Sequence, residues 1–521
     1  MRPISIVSGD GFRRFCEKLN PAFKVPCPQT IKNHLQYYYD NSKSELIKTL
    51  DFDQTKNYKY SFTTDAWTSL ANEGYTTITI HYIDSEWNDH HRVLNTHEVT
   101  ERHTGLNLAT DFLEVLTNFG IKKESVISIT ADNAANMDVC IREIGVKRIR
   151  CFGHSLQLAV KAGFKLGFMD KMLGSARRIV TFFNRSTVAN NCFKEKQKQL
   201  NLPQHKLIQD CATRWNSAYF MIHRLLEQRL AIFAVIHEPG LMKPSDARSY
   251  ELSDKDWSLI LEPLQMATTI LSGEQYPTAA MIYPVVAGLL NIHLKESTDD
   301  SPEIKKVKLA IASDLSSRFF STNDNDIATH PAIIASALHP SYKHLKFLDE
   351  GQRIGIWDHL LTLLTEVIDK QSHNPLCHTD TEPTQVEETT FEDVDVPAGK
   401  KSKPLEFLMG DYYDRGGESK HGSPNTNRLN AENTIEMFKM EKVLKECSNP
   451  LKWWKSNEPR YPNLAQLAKI YLNIPGTSVA SERIFSATGN IVSKKRAALD
   501  PDTVDQLIFV RELLREKKNK C

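Results

Sequence analysis

The stretch ESVISITADNAANM, residues 124–137, followed by RIRCFGHSLQLA, residues 148–159, decides how the chain reads. Residues 126–130 are an apolar, β-branched run that stops at Ala131-Asp132-Asn133-Ala134, the pattern of a buried strand entering a helix. The second short run, residues 148–151, breaks at Gly153 and starts a helix on which Leu156, Val160 and Phe164 recur every four residues. The order is strand, acid, helix, strand, helix. An acid at the end of a central strand suits chemistry, because a loop there projects a side chain from a rigid sheet. Asp132 also has a plainer role as N-cap, worth about 1 kcal/mol to the following helix. On this stretch alone the cap is the simpler reading.

Upstream the period is two. Tyr58, Tyr60 and Phe62 alternate with Lys59 and Ser61 before Thr64-Asp65-Ala66-Trp67, a second acid at an expected strand end. Residues 76–83 and 92–99 read as two further strands of a meander, and residues 106–119 as a helix with Leu108, Phe112, Val115 and Leu116 on one stripe. The resulting order, β-β-β-α-β-α-β-α, is that of the ribonuclease H-like fold. There the ends of the first and fourth strands are neighbours, which brings Asp65 to Asp132.

The rest of the chain divides around that core. Residues 1–50 read as an N-terminal helical region and 51–165 as the first part of the α/β core. Residues 166–370 lose strand signals and carry apolar residues at helical spacing, as an all-helical insertion would. Residues 371–427 read as an acidic disordered linker, with no Lys or Arg between 371 and 399. Residues 428–521 are dense again. Within them Ser478 is placed to cap a helix over 479–491, and Asp500-Pro501 starts a last one. On it Val504, Leu507, Ile508, Phe509 and Leu513 form an apolar surface wider than one core contact needs, which predicts a subunit or interdomain interface.

Composition sets the outer limits. At 521 residues two or three domains are expected, and a formal net charge of +1 gives no overall electrostatic case for nucleic acid, so any such surface is local. The nine cysteines are scattered without a Cys-x-x-Cys pair, as reduced thiols of a cytosolic or nuclear protein are. No apolar run approaches the roughly eighteen residues of a membrane helix.

Five blocks then fall in one order: Thr64-Asp65-Ala66-Trp67; Thr130-Ala131-Asp132-Asn133; Cys151-Phe152-Gly153-His154; Thr213-Arg214-Trp215-Asn216-Ser217; and a C-terminal block with Trp453-Trp454, Pro475, Ser481-Glu482-Arg483, Gly489-Asn490 and Lys495-Arg496. In these the chain resembles the hAT-type DNA transposases, and most closely their host-adopted relatives, the zinc finger BED domain-containing proteins. The resemblance implies a ribonuclease H-like core split by a helical insertion and closed by a C-terminal dimerisation region. It makes Asp65, Asp132 and Glu482 a catalytic triad holding Mg²⁺ or Mn²⁺. Carboxylates suit such hard ions, and two of them clamp a phosphodiester during cleavage and transfer. Without the resemblance Glu482 lies opposite the apolar stripe of Ala480, Ile484, Ala487 and Ile491 and reads as solvated.

Other residues keep two readings. Cys151 and His154 have the spacing of half a zinc site. A structural zinc needs four ligands and no second pair has suitable spacing, so a buried thiol and a hydrogen-bonded imidazole supporting the active centre are expected, without structural zinc. Trp215, beside Arg214, resembles the family's aromatic that stacks on a flipped base, and equally fits a helical core. Lys494, Lys495 and Arg496 are candidates for phosphate contact. The BED finger's paired Cys and His ligands do not occur in these residues, so docking through that module is outside the expectation. Leu338-His339-Pro340-Ser341 also departs from the relatives' usual Leu-Asp-Pro-Arg. The expectation is a nuclear DNA-binding homodimer of regulatory role, without membrane contact. A working metal-dependent transposase and an interaction scaffold that binds no DNA are the alternatives.

Overall fold

The computed structural model describes residues 3–520 except 56–58, 69–72, 100–101, 212, 242–255, 274–276, 321–326, 373–423, 445–448 and 485–499. The described residues form two compact units, 1–359 with 442–521 and 360–441.

The first unit is built on one mixed sheet of five strands: β1 (Tyr60–Thr68), β2 (Gly74–Ile83), β3 (Asp89–Glu98), β4 (Val126–Ala131) and β5 (Lys147–Arg150), in the order β3-β2-β1-β4-β5. The meander β1-β2-β3 is antiparallel, whereas β1 pairs with β4 and β4 with β5 in parallel. Parallel neighbours need crossovers, supplied by α3 (Gly105–Asn118) before β4 and by α4 (Ala135–Ile144) before β5. Gly105 is where these two helices meet. A Cβ there would lie 2.5 Å from the Val139 Cβ and 2.6 Å from the Asn136 carbonyl oxygen.

The period of two divides the sheet into unlike faces. One is apolar: Tyr60, Phe62, Ile78, Ile80, Leu94 and Ile129 form a buried core with Leu108, Phe112 and Leu116 of α3, Met137 and Ile141 of α4, and Leu46 and Leu50 of α2 (Pro28–Thr55). The opposite face of β1, β2 and β4 is polar and equally dry: Ser61, Thr63, Thr77, Thr79, Ser128 and Thr130 are each at most 2% exposed. Buried hydroxyls need partners, and a distant segment supplies several. The Thr130 hydroxyl donates to the Pro475 carbonyl at 2.8 Å, the Ser61 hydroxyl donates to Asn473, and Thr63 meets Ser481.

The edge strand β3 is covered by the last helix, Pro501–Lys520. Asp500 accepts the Thr503 amide at 2.8 Å as its cap, and buried Asp505 accepts the amide of Thr96 at 2.6 Å and the hydroxyl of Tyr39 at 3.1 Å. A carboxylate bonded to a strand amide blunts an edge otherwise open to pairing.

Beyond β5 come α5 (Phe152–Phe164), α6 (Gly167–Arg185), α7 (Thr187–Gln199), α8 (Trp215–Glu227) and α9 (Arg229–Ile236), then helices Asp256–Leu271, Pro302–Phe319 and Pro331–Leu338. The helix Pro331–Leu338 is buried throughout, and Trp454 of the helix Pro450–Asn457 donates its indole N–H to the Leu338 carbonyl at 3.0 Å. Next to it, His339 is buried and kept neutral by that burial, and its Nδ1 accepts the Ser341 amide at 3.1 Å, a local turn that gives the departure at 338–341 a structural role. In the second unit Asn427, on the helix Pro424–Met440, donates to Asp369 at 2.7 Å over a core that includes Leu364, Ala431, Ile435 and Phe438.

Candidate functional site

Asp65 is not at a strand end. It sits inside β1, paired with Thr77, but two residues past Thr63, where the parallel pairing with β4 stops. Its side chain lies on the polar face and is 6% exposed. Its Oδ1 accepts the Ala66 amide at 2.9 Å.

Asp132 follows the last residue of β4. It does not cap α4: the N-cap is Ala134, and Asp132 Oδ1 accepts the Ala134 amide at 3.1 Å in a two-residue turn. The turn delays the helix and leaves the carboxylate beside β1.

Glu482 is brought in by the segment that covers the polar face. The Phe152 amide donates to the Gly476 carbonyl at 3.0 Å, the Cys151 amide to Ala131 at 2.8 Å, and the Ser478 amide to the Cys151 sulfur at 3.3 Å. Gly476 is required by the fit, since a Cβ there would lie 2.9 Å from the Thr278 hydroxyl and 3.1 Å from its backbone. A helical turn over 479–484 then carries Ser481 onto Thr63 at 2.7 Å and places Glu482 next to the acids. Ser478 accepts the Glu482 amide through its backbone carbonyl, while its buried hydroxyl makes no hydrogen bond, so the expected side-chain cap is absent.

The charges converge on Asp65. Burial first, then the Glu482 and Asp132 carboxylates, push its carboxyl up to about 7, against the favourable pull of His154. His154 is raised to about 9, first by the Cys151 side chain and then, against the cost of burial, by Glu482 and Asp65. A buried acid raised by two neighbouring carboxylates is the arrangement a divalent cation relieves, and in charge and donor type the three acids suit Mg²⁺ or Mn²⁺. The group of three donor side chains close enough to hold an ion among the described residues is a different one, and includes neither Asp65 nor Asp132. Cys151 Sγ, a His154 ring nitrogen and a Glu482 carboxylate oxygen all lie within 4.8 Å of one another. Sequence spacing offers no signal for that trio, because its third member comes from the far end of the chain.

The other expected site residues are placed as follows. Trp215 opens α8 and is 4% exposed, its amide donating to Gln157 at 2.9 Å, while Arg214 before it is exposed. The indole is therefore part of the helical core, with no face open to a base. Val504 and Ile508 pack with Tyr75, Val93 and Ile484, and Phe509 joins the apolar core, its ring 5.1 Å from that of Tyr39. Leu507 and Leu513 are half-buried. The wide apolar surface of this helix is taken up largely within the chain. Lys494, Lys495 and Arg496 lie outside the described residues.

Comparison with known proteins agrees with this organisation. Residues 63–150 match the ZBED1 RNase-like domain, 149–262 the ZBED1 RNase-like helical domain, and 425–514 the hAT family C-terminal dimerisation region. The chain is 24% identical to a putative AC transposase of Zea mays, over 98% of this chain and 63% of that protein. It is 24% identical to zinc finger BED domain-containing protein 4 of Homo sapiens, over 98% of this chain and 42% of the relative, and 23% identical to RICESLEEPER 2 of Oryza sativa, over 98% and 72%. It thus spans about three fifths or less of several of these relatives. No described helix is long and apolar enough to cross a membrane. With RNase-like and helical domains in sequence, a hAT dimerisation region at 425–514, and relatives of both transposase and BED type along almost its whole length, the chain is similar throughout to the hAT transposase-derived proteins.

Proposed function

We propose that the chain is the body of a nuclear, transposase-derived DNA-binding protein that homodimerises through the region at 425–514 and acts in regulation. On this reading the sheet and its crossover helices are a ribonuclease H-like core, and the helices between β5 and the 473–484 segment are an insertion into it. The strand order β3-β2-β1-β4-β5, with only β1, β4 and β5 parallel, supports that architecture.

The observation that carries the reading is the convergence of Glu482 and Asp132 on buried Asp65. Asp65, Asp132 and Glu482 would hold Mg²⁺ or Mn²⁺, which when bound supplies Lewis-acid activation and charge neutralisation at a phosphodiester. The chain's own residues do the rest. Asp65 is fixed by the Ala66 amide, Asp132 by its turn, and Glu482 by the contact of Ser481 with Thr63. His154 places a positive charge beside the acids.

The same cluster favours a second reading, an active transposase that cleaves and joins DNA ends with these three acids. Two measurements separate the cases. Mobility shift across a salt series tests DNA association, which weakens steeply with salt when phosphates are neutralised. Incubation of labelled DNA ends with Mn²⁺ tests cleavage. Binding without metal-dependent product supports the regulator; product that disappears in Asp132→Ala supports the enzyme. Absence of salt-dependent binding overturns both and leaves an interaction scaffold.

A further inference from the structure

We propose that Cys151, His154 and Glu482 form a binding site for a borderline-soft divalent cation of the zinc class, separate in donor chemistry from the all-carboxylate cluster and sharing only Glu482 with it. Cys151 immediately precedes α5 and His154 lies in its first turn, three residues on, so both side chains leave the same side of the helix. Glu482 arrives from the turn over 479–484, which the Ser478 amide fastens to the Cys151 sulfur at 3.3 Å.

The geometry is close to that of a bound ion. The three donor atoms are within 4.8 Å of one another, and His154 Nδ1 is 3.9 Å from Glu482 Oε1. Tetrahedral zinc with bonds of about 2.0–2.3 Å sets its ligand atoms roughly 3.3–3.8 Å apart, so side-chain rotation suffices to close the site. His154 Nδ1 is a buried atom without a hydrogen-bond partner, and the hydrogen bond the ring does make is to Cys151, the neighbouring ligand of the same proposed site. Such an orphan, next to a carboxylate but too far for a hydrogen bond, is a place for an ion between them. Three protein ligands leave a fourth position for water or substrate.

The donor set selects the metal. Mg²⁺ and Mn²⁺ keep to oxygen ligands, whereas a thiolate with an imidazole favours Zn²⁺ and Co²⁺. Binding replaces the thiol proton of Cys151 and any second proton on the His154 ring, both released to solvent. Glu482 cannot fully serve both sites. An ion held by Cys151 and His154 draws it away from Asp65 and Asp132, so zinc-class and hard ions oppose one another; this antagonism, unlike the binding itself, rests on the acid-cluster reading above.

The test is Co²⁺ titration of the full chain, followed by absorption. The expected result is one equivalent of cobalt showing a thiolate-to-metal charge-transfer band, discharged by Zn²⁺, absent in Cys151→Ser and present in Asp132→Ala. Glu482→Gln and His154→Asn should each weaken cobalt at least about tenfold. Circular dichroism and melting of each variant establish folding, and His154→Asn keeps the cysteine intact should Cys151→Ser misfold. A charge-transfer band that survives Cys151→Ser, cobalt spectra without that band, or affinity indifferent to His154 and Glu482 would overturn the proposal. Stabilisation by Mn²⁺, lost in Asp132→Ala, reports the acid cluster separately. Cobalt bound through Cys151 in a protein that ignores Mn²⁺ sinks that reading and leaves this one standing.

Discussion

The hydroxyls of Thr63 and Ser481 meet at 2.7 Å although 418 residues separate them along the chain. Thr63 also contacts Thr79, whose hydroxyl is 2.9 Å from His81 Nε2, so four buried side chains form one polar line across the sheet. The line ends on the turn that carries Glu482. Thr63→Val keeps the shape and removes the hydroxyl, leaving partners unsatisfied, at a cost of about 1–3 kcal/mol. Urea unfolding should show that loss together with a weakened response to Mn²⁺. Thr77→Val, which breaks the Thr77–Thr96 pair at 3.1 Å, should cost stability and spare the metal response.

Asp65 gives the stability a pH dependence of known sign. Its carboxyl is raised from 3.8 to about 7 in the folded protein. Between those values the folded state keeps a proton that the unfolded chain releases, so stability is full below pH 4 and falls as pH rises to 7. The lost part is on the order of 2–4 kcal/mol. Without metal, Asp65→Asn should be more stable than the parent at pH 8, with a flatter profile between pH 4 and 7 in thermal melts. Saturating Mn²⁺ should reverse the order, adding about 2.7 kcal/mol to the parent alone at a hundredfold excess over its dissociation constant.

His154 acts in a higher window. Raised from 6.5 to about 9, it contributes stability that is present below pH 6.5 and lost as pH rises through 9. His154→Gln should flatten the melting profile there and leave the Asp65 window in place. A profile unchanged between pH 6.5 and 9 would mean that the ring does not feel Cys151, Glu482 and Asp65.

Gly476 holds the covering segment against Thr278. Gly476→Ala forces a Cβ to within 2.9 Å of the Thr278 hydroxyl and 3.1 Å of its backbone. The overpacking should cost about 1–3 kcal/mol. Because it displaces the turn bearing Glu482, any Mn²⁺ stabilisation should shrink in parallel.

Ile508 separates folding from assembly. Its side chain is fully buried within the chain beside Tyr75 and Val93, so Ile508→Ala should destabilise the protomer itself by about 2–5 kcal/mol. Sedimentation of Leu514→Glu, on an exposed residue of the same helix, is the better test of dimerisation. A lower stability with unchanged sedimentation for Ile508→Ala would place the dimer contact elsewhere.

The sequence made β4, Asp132 and the alternation around β1 readable, because a strand buried on both sides or alternating by two leaves a local pattern. The placement of Asp65 inside β1 was not readable: the strand continues through Trp67 and Thr68, which pair with Tyr75 and Gly74 of β2. Helix α2 lies within the expected N-terminal helical region and opens at Pro28, where a proline fits the first turn. The wide apolar stripe of the last helix predicted a subunit or interdomain interface, and part of it meets the edge strand β3 and α2 within the chain. Glu482 had no local signal. Its company is made by Asn473, Pro475, Gly476 and Ser478 docking on strands hundreds of residues earlier, and no periodicity within residues 479–484 reports that.

The polar face of the sheet has a further consequence for how the protein comes into being. Synthesis proceeds from the N-terminus, and domains fold as they emerge. Everything the apolar face needs from α2, α3 and α4 precedes residue 145, so that face is covered early except where Phe509 joins it. The hydroxyl face waits for residues 473–484, hundreds of residues later in the chain. A nascent or prematurely terminated chain therefore has its fold begun and its acids incomplete. Copies interrupted before residue 482 carry Asp65 and Asp132 without Glu482, and so lack the full cluster.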